Sequence, residues 1–340
     1  MKITDYTQVT TAGENDIFLI DGDNGTKTIT AKNALNSIAT VDPDCEWLSA
    51  VPSKALAAVK EPSTTSGLLL STSNGTERIL TKDLIYSIID MLACDTYTSD
   101  GEPSSLGLKR SFYRGKNLGN TITSDQSAHI KDGTFKDLFV GDYWLINDIR
   151  WRIADYIRYG TSDSRTTGVC VIPDTVLLTD QQMNTSNTVT GGYVSSAMNT
   201  TYINNAVEIA VSAFGDEHVN NITFVGCSGV NNGAEAGVIY VSDKRAVLPS
   251  EQEVFGCMIN TYKRYGIDGW PQGGSNKTQL ALFALNPELI WRTPDGSTTG
   301  GWWLRDIASS ACFCAVWDNG RPGITHASNK WGVRPLFAIS

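Results

Sequence analysis

The stretch that decides the fold of this chain lies at its end. Trp302-Trp303-Leu304-Arg305-Asp306 opens the stretch, and Gly332-Val333-Arg334-Pro335-Leu336-Phe337 closes it. The residue types between these two motifs fit no regular element. The sequence therefore predicts a stiff aromatic frame around an irregular, chemically mixed insert, which is typical of a binding surface and unusual for a catalytic motif.

Four residues of the two motifs are expected to be structural. Adjacent side chains of a strand face opposite ways, so at least one of Trp302 and Trp303 is predicted to be in the core. Arg305 and Arg334 are predicted to pair with a carboxylate such as Asp306, or with main-chain carbonyls near the chain end. Both arginines therefore count as parts of the frame and not as ligand contacts.

The composition indicates the class of protein. The 340 residues suit about two domains. Hydrophobic residues make up 41% and charged residues 19%, with 31 glycines, which favours a strand-and-loop protein and is common in extracellular and virion proteins. A formal charge of -9 argues against nucleic-acid or anionic-membrane binding, since both need a basic surface.

Targeting segments and metal sites are not predicted. No apolar run approaches the length of a membrane span, and no secretory apolar core follows Met1, so we expect folding in a cytoplasm. Seven cysteines, an odd number, and three histidines show no ligand spacing. Most cysteines are therefore predicted to be buried, and we expect no metal and no cofactor.

An internal repeat organises the N-terminal region. Phe18–Lys32 aligns with Leu68–Lys82, and both copies contain Asn-Gly-Thr at the same place. Each copy is predicted to form a strand, an Asn-Gly turn and a second strand, followed by short helices at residues 34–38 and 84–92. Units of this size cannot bury a core alone, so we expect them to pack on one another or on copies in neighbouring subunits.

The region after the repeat begins with a connector. Residues 94–111 are rich in Gly, Pro, Ser and Asp, which places a domain boundary near residue 100. Residues 1–100 hold 14 acidic and 7 basic side chains, so this module has a net charge of -7. Either it is a duplicated scaffold without a ligand, or it docks the protein onto a larger assembly.

Four local patterns predict elements in residues 101–340. Phe135–Ala154 is predicted to form a hairpin around Asn147-Asp148, and Val169–Pro173 to form a buried strand. Residues 190–205 are predicted to lead from a loop into a helix that ends near Phe214. Ser250 and Glu253 have the spacing of a capping box, which explains Glu251 and Glu253 better than an acid/base pair does.

These motifs, taken in order, resemble a known family. The chain is similar to the C-type-lectin-fold domains at the ends of phage fibre and receptor-binding proteins, and particularly to variable proteins that retroelements diversify. The resemblance covers roughly residues 110–340. It is carried by the motifs Gly141-Asp142-Tyr143, Gly191-Gly192-Tyr193, Leu248–Gly256, Leu282–Asn286, Trp302–Arg305 and Gly332–Pro335.

The resemblance implies an α+β protein. A small N-terminal β-hairpin/helix repeat module (residues 1–100) would precede a C-type-lectin-like, formylglycine-generating-enzyme-like domain (residues 101–340). The repeat module also resembles, more loosely, modules that begin phage fibre proteins. The expected function is a virion structural protein, a tail or head fibre, that binds a host-surface protein or glycan. We expect residues 1–100 to contact other virion proteins, a homotrimer as in fibre proteins generally, and no nucleic acid or membrane.

The resemblance also implies which residues bind. In such proteins, mutagenesis of adenines in asparagine codons varies surface positions of the last segment and cannot produce Trp or Lys. Trp317 and Trp331 are therefore assigned to the frame, whereas Phe313 and Pro322 fall inside the set but also suit a structural role. The predicted ligand-binding residues are Cys312, Cys314, Asp318, Asn319, Arg321, Ile324, Thr325, His326 and Asn329.

Alternatives remain open at this point. Asp318-Asn319-Gly320 also suits a plain tight turn. The binding surface could instead lie in the loop of the 190s or at residues 228–236. The protein could be a head decoration or fibre protein that binds mucus glycans, a calcium-dependent lectin or, less favoured, a virion-associated enzyme.

The enzyme alternative lacks residue support. Cys312-Phe313-Cys314 does not match the reactive cysteine pair of the formylglycine-generating oxidases and has no obvious basic partner in the sequence. His326 has only Thr325 and Ser328 as neighbouring nucleophiles. The sequence therefore predicts recognition without catalysis.

Overall fold

The structure is a computed structural model that describes residues 17–21, 27–30, 67–72, 75–80, 86, 109–156, 168–227, 238–261 and 279–340. The chain divides into two compact units, Met1–Met91 and Leu92–Ser340. It is a mixed α/β protein with several sheets and few, mostly short helices, which agrees with the α+β class.

The N-terminal unit contains one antiparallel sheet of strand order β2-β1-β3-β4. Its strands are β1 (Ile17–Asp21), β2 (Lys27–Thr30), β3 (Gly67–Thr72) and β4 (Gly75–Leu80). Both predicted hairpins are confirmed. They are joined through β1 and β3, where Ile20 is opposite Leu68, so the two repeats of one chain pack on one another.

The turn of the second hairpin differs from the prediction. Thr72 pairs with Gly75, so Gly75 belongs to β4 and not to the turn. Of the predicted helices, residues 34–38 lie outside the described residues. Only Tyr86 of residues 84–92 is described, and it is helical.

The first sheet of the C-terminal unit has the order β15-β7-β6-β5. Its strands are β5 (Tyr143–Ile146), β6 (Ile149–Tyr156), β7 (Val169–Pro173) and β15 (Phe337–Ile339). Ile146 pairs with Ile149, and φ is 52° at Asn147 and 61° at Asp148, as a two-residue hairpin turn requires. The hairpin at Asn147-Asp148 and the strand at Val169–Pro173 are confirmed.

The first part of the predicted Phe135–Ala154 hairpin is wrong. Phe135 and Asp137 have φ values of 49° and 50°, which interrupt an extended chain. The buried Asp142 carboxylate stabilises this irregular segment by accepting hydrogen bonds from the main-chain N–H groups of Phe139 (2.8 Å) and Lys116 (2.9 Å). The segment therefore packs as a loop that its own side chains stabilise.

The second sheet carries the C-terminal motifs and has the order β13-β12-β11-β14-β8. Pairing is antiparallel except between β11 and β14. The strands are β8 (Leu178–Gln182), β11 (Trp302–Ile307), β12 (Cys312–Val316), β13 (Pro322–His326) and β14 (Lys330–Val333). The prediction that residues 307–331 fit no regular element is wrong, because most of them form strands. A separate two-stranded sheet pairs β9 (Ile222–Cys227) with β10 (Val238–Lys244).

The helices are mostly short. They are α1 (Ser124–Lys131), α2 (Gly192–Ser195), a π-helical turn (Met198–Tyr202), α3 (Ile203–Phe214), α4 (Glu251–Phe255), α5 (Ala281–Leu285) and a 3-10 turn (Pro287–Ile290). The predicted helix ending at Phe214 is confirmed. Ser250 is the N-cap of α4, and its capping box with Glu253 is confirmed.

Aromatic rings join helix α3 to the first sheet. Phe214 packs edge-on against Trp144 and Trp151, with ring centroids 5.8 Å and 5.4 Å away. Trp151 also contacts Phe337 of β15 at 5.7 Å. The C-terminal strand is therefore part of this core.

Candidate functional site

Strand β13 forms one edge of the second sheet, and its side chains alternate between solvent and core. Gly323 and Thr325 are buried, whereas Ile324 and His326 are exposed. Its neighbour β12 is buried at every position and pairs with both β11 and β13. The fully buried strand β12 thus holds the edge strand β13 in place, and one face of β13 is exposed to solvent.

The β12–β13 turn is fixed by backbone hydrogen bonds. Trp317 N–H donates to the Arg321 carbonyl (2.9 Å), and Gly320 N–H donates to the Trp317 carbonyl (2.9 Å). Gly320 has φ of 80°, and a Cβ there would lie 2.5 Å from the Trp291 ring. The turn at Asp318-Asn319-Gly320 is therefore confirmed, and it exposes Asp318, Asn319 and Arg321.

The structure separates the nine predicted binding residues into two groups. Six are exposed on β13 and its flanking turns, and we call them the β13 surface: Asp318, Asn319, Arg321, Ile324, His326 and Asn329. The other three are buried: Cys312 (9% exposed), Cys314 (0%) and Thr325 (6%).

The prediction that Cys314 and Thr325 lie on the surface is wrong. Cys314 belongs to the central strand β12, and its Sγ lies 4.0 Å from the Thr261 Oγ1. Burial raises the pKa of the Cys314 thiol well above its usual value, and the carboxylates of Asp306 and Glu251 add to the rise. Thr325 instead stabilises the β13–β14 turn, because its Oγ1 accepts a hydrogen bond from Asn329 Nδ2 (2.8 Å).

Cys312 has a partner that the sequence reasoning missed. It lies directly opposite His326, and its Sγ is 3.5 Å from His326 Nδ1. The expectations that this cysteine lacks a basic partner and that His326 lacks a nearby nucleophile are wrong. The Asp318-Asn319-Gly320 turn could have predicted this pair. Counting residue pairs outward from the turn places Val316 opposite Pro322 and Cys312 opposite His326.

Trp317 also differs from its predicted role. The resemblance assigns it to the frame, but 39% of it is exposed. Its indole lies over Gly323, where an added Cβ would be 1.6 Å from Nε1, and its ring meets Trp331 edge-on at 4.8 Å. Gly323 therefore makes room for an aromatic side chain that is open to solvent beside the β13 surface, while Trp331 is half-buried behind it.

The frame beneath the surface is fully buried. Trp302 and Trp303 are both 0% exposed, so both belong to the core. Trp302 Nε1 donates to the Ile290 carbonyl (3.2 Å), and Trp303 Nε1 donates to the Gln181 carbonyl (2.8 Å). Their indole N–H groups thereby attach β11 to neighbouring segments on both faces.

The two arginines are structural, as predicted, but their partners differ. Arg305 pairs with Glu253 and not with Asp306, and it also donates to the Leu248 carbonyl (2.8 Å). Arg334 donates to the carbonyls of Pro173 (2.8 Å) and Leu289 (2.9 Å), which are distant from the chain end. Burial lowers the pKa of Arg334 to about 10.

Glu251 holds a neighbouring loop in place. Its buried carboxylate accepts hydrogen bonds from the N–H groups of Ile259 (2.8 Å), Asn260 (2.9 Å) and Thr261 (3.0 Å). It also accepts one from the Thr261 hydroxyl (2.7 Å). Glu251 and Glu253 are therefore fully engaged in structure, which supports the capping interpretation over an acid/base pair.

Asp306 lies beside this network. Its carboxylate accepts a hydrogen bond from the Glu251 N–H at the start of α4. Burial raises the pKa of Asp306 to about 6, and the nearby carboxylates of Glu251 and Glu253 also raise it, against the opposing effect of Arg305. The surroundings of Asp306 thus disfavour its charged form.

The segment that precedes the alternative binding loop of the 190s adjoins the β13 surface. Asn187 is exposed, and its Oδ1 accepts hydrogen bonds from the N–H (3.2 Å) and hydroxyl (2.6 Å) of Ser328. Asn184 N–H donates to the Ala327 carbonyl (2.9 Å). Residues 184–190 therefore extend the same surface at its β13–β14 end, whereas residues 228–236 lie outside the described residues.

Within the described ranges, no group of three or more His, Cys, Asp or Glu side chains is placed to hold a metal ion. The sparse acidic stretches that a calcium-dependent lectin could use, Asp42-Pro43-Asp44 and Asp21-Gly22-Asp23, fall outside those ranges except for Asp21. In the same part of the chain, no helix has the length and apolar character needed to cross a bilayer.

No protein family model, curated protein or solved structure matches this chain.

Proposed function

We propose that this protein is a phage virion structural protein, a tail or head fibre, that binds a host-surface protein or glycan through the β13 surface. The mechanism is recognition without catalysis. Residues 101–340 would form a C-type-lectin-like domain, with which the mixed sheets and few helices are compatible. Residues 1–100 would attach the protein to other virion components and support a homotrimer.

The observation that carries the proposal is the alternation in and around β13. Ile324 and His326 face solvent while Gly323 and Thr325 face the core, and the turns on either side expose Asp318, Arg321 and Asn329. The exposed side chains differ in charge, size and polarity. They can therefore change without disturbing the strand pairing that holds them, which is what a surface under diversification requires.

The partly exposed Trp317 adds an apolar contact to this surface. An indole beside Arg321 and Asn319 offers a flat apolar face next to hydrogen-bond donors and acceptors, a combination that suits glycans and protein loops. Each single site would bind weakly. Several copies in a fibre would raise the total affinity by acting together.

The binding test uses the full-length protein on a glycan array and a panel of bacterial cells. The variant D318A/R321A/H326A is expected to lose binding, because three exposed polar contacts are removed from one surface. The matched control is K131A/N205A/E208A, which changes three exposed residues on α1 and α3. Loss of binding in the control, or full binding in the first variant, would refute the proposed surface.

Diversification is tested by sequencing the gene's surroundings. We expect a reverse-transcriptase gene and an imperfect repeat of codons 305–335 whose differences fall at adenines. Substitutions between sibling genes should concentrate at the β13 surface and spare Cys314 and Thr325, which are buried. A repeat whose differences fall mainly on Trp302, Trp303 or Arg334 would contradict this part of the proposal.

A further inference from the structure

Cys312 and His326 form a thiol–imidazole pair at the edge of the second sheet. Because they are directly opposite across β12 and β13, their side chains lie on the same face. Cys312 Sγ is 3.5 Å from His326 Nδ1, and His326 is exposed to solvent. In the tautomer that carries its proton on Nε2, the imidazole can accept the thiol proton.

Cys314 lies on the same strand as Cys312 but in a different environment. It is two residues along the same strand and on the same face, yet it is 0% exposed and neighbours the acidic groups of Asp306 and Glu251. These surroundings disfavour a thiolate. Cys312, by contrast, has a base within hydrogen-bond distance and keeps 9% of its surface open.

We propose that Cys312 and His326 form a thiol–disulfide exchange site that takes up one half of a small disulfide ligand. His326 Nδ1 accepts the proton of the Cys312 thiol, and the thiolate attacks one sulfur of the ligand. The ligand's S–S bond breaks as the new bond to Cys312 forms. The departing thiolate takes the proton from the imidazolium, so the ligand is the oxidant and Cys312 ends as a mixed disulfide.

The limited opening at Cys312 determines which disulfides fit. A thiol with 9% exposure can be reached by a slender disulfide such as a cysteine-containing peptide dimer. A disulfide inside a folded protein is too bulky to approach it along the line of attack. This site adds covalent capture to the non-covalent contacts of the β13 surface and does not depend on the identity of any receptor.

The test is site-resolved labelling of the reduced full-length protein with glutathione disulfide at pH 7. The extent of modification at each cysteine is measured by mass spectrometry of peptides over time. Cys257 is the internal reference, because it is exposed and its thiol lies 3.9 Å from the Phe255 carbonyl, which is not a base. We expect Cys312 to react faster than Cys257 despite its lower exposure, and Cys314 to remain unmodified.

The variant H326Q isolates the role of the imidazole. We expect it to slow the modification of Cys312 by about tenfold or more, because the group that accepts the thiol proton is lost. The rate at Cys257 should not change, and continued protection of Cys314 reports that the sheet is intact. The variant H326N, which keeps a polar side chain without a base, should be equally slow.

Two results would overturn the proposal. Modification of Cys312 no faster than that of Cys257 would mean that the pair does not activate the thiol. An unchanged Cys312 rate in both H326Q and H326N, with Cys314 still protected, would mean that His326 takes no part.

Discussion

Strands β11 and β13 belong to the same sheet and both flank β12, yet they use their side chains in opposite ways. Five of the six β11 residues are buried, and only Asp306 keeps partial exposure. In β13, buried and exposed residues alternate. The difference shows that the position of a strand in the sheet determines whether it can form a binding surface. Backbone pairing holds the edge strand β13 in place, so the side chains on its exposed face are not needed for packing.

The largest effect is expected where a core side chain is removed. Trp302→Ala should lower the free energy of unfolding by about 3–5 kcal/mol, because it leaves a cavity and removes one hydrogen bond to the Ile290 carbonyl. Urea denaturation measures this loss. The matched variant on β13 is Ile324→Ala, which removes an apolar side chain that is 46% exposed and should cost less than about 1 kcal/mol. Similar losses of unfolding free energy in the two variants would contradict the proposed difference between β11 and β13.

The next largest effect concerns charge. Glu253→Gln should lower the free energy of unfolding by about 3 kcal/mol, because it removes the negative charge that forms an ion pair with the buried Arg305 guanidinium. Arg321→Ala removes a charge of the same sign as Arg305 from the exposed turn and should change stability by less than about 0.5 kcal/mol. Equal losses of unfolding free energy in Glu253→Gln and Arg321→Ala, measured by urea denaturation, would contradict this difference between Arg305 and Arg321.

A smaller effect depends on pH. The folded-state pKa of Asp306 is raised to about 6, above its ordinary value, so its charged form is disfavoured in the native protein. The stability it contributes is complete at about pH 4 and is lost as the pH rises through 6. Asp306→Asn should therefore match the wild type at pH 4 and become about 1–2 kcal/mol more stable by pH 8.

This pH effect is measured by urea denaturation of both proteins at several pH values. Comparing the two proteins at each pH cancels the other titrating groups. An advantage of the variant that is constant with pH, or that grows toward low pH, would contradict the assigned surroundings of Asp306.

Much of the fold could be predicted where short patterns determine structure locally. Asn147-Asp148 between alternating apolar residues predicts its hairpin turn because few residue types adopt two consecutive positive φ values. Ser250 and Glu253 predict their helix start because the cap needs only residues three apart. These signals do not depend on the rest of the chain.

The site was harder to predict because its strands break the usual patterns. Pro322 and Gly323 look like strand breakers, yet Pro is tolerated at the first residue of an edge strand and Gly323 makes room for Trp317. The run Cys312–Val316 has no alternation because both faces of β12 are covered. Arg305 pairs with Glu253, 52 residues away in sequence, and not with its neighbour Asp306, because the tertiary fold determines which carboxylate lies beside it.

The most direct measurement of the central claim is a pair of randomised libraries of the full-length protein. One library varies the β13 surface: Asp318, Asn319, Arg321, Ile324, His326 and Asn329. The other varies six buried positions of the same region: Trp302, Trp303, Arg305, Cys314, Thr325 and Arg334. Resistance to proteolysis reports the folded fraction of each. We expect most members of the first library to fold, with changes of about 0.5 kcal/mol per exposed site, and most of the second to unfold; equal folded fractions would contradict the separation of frame and surface.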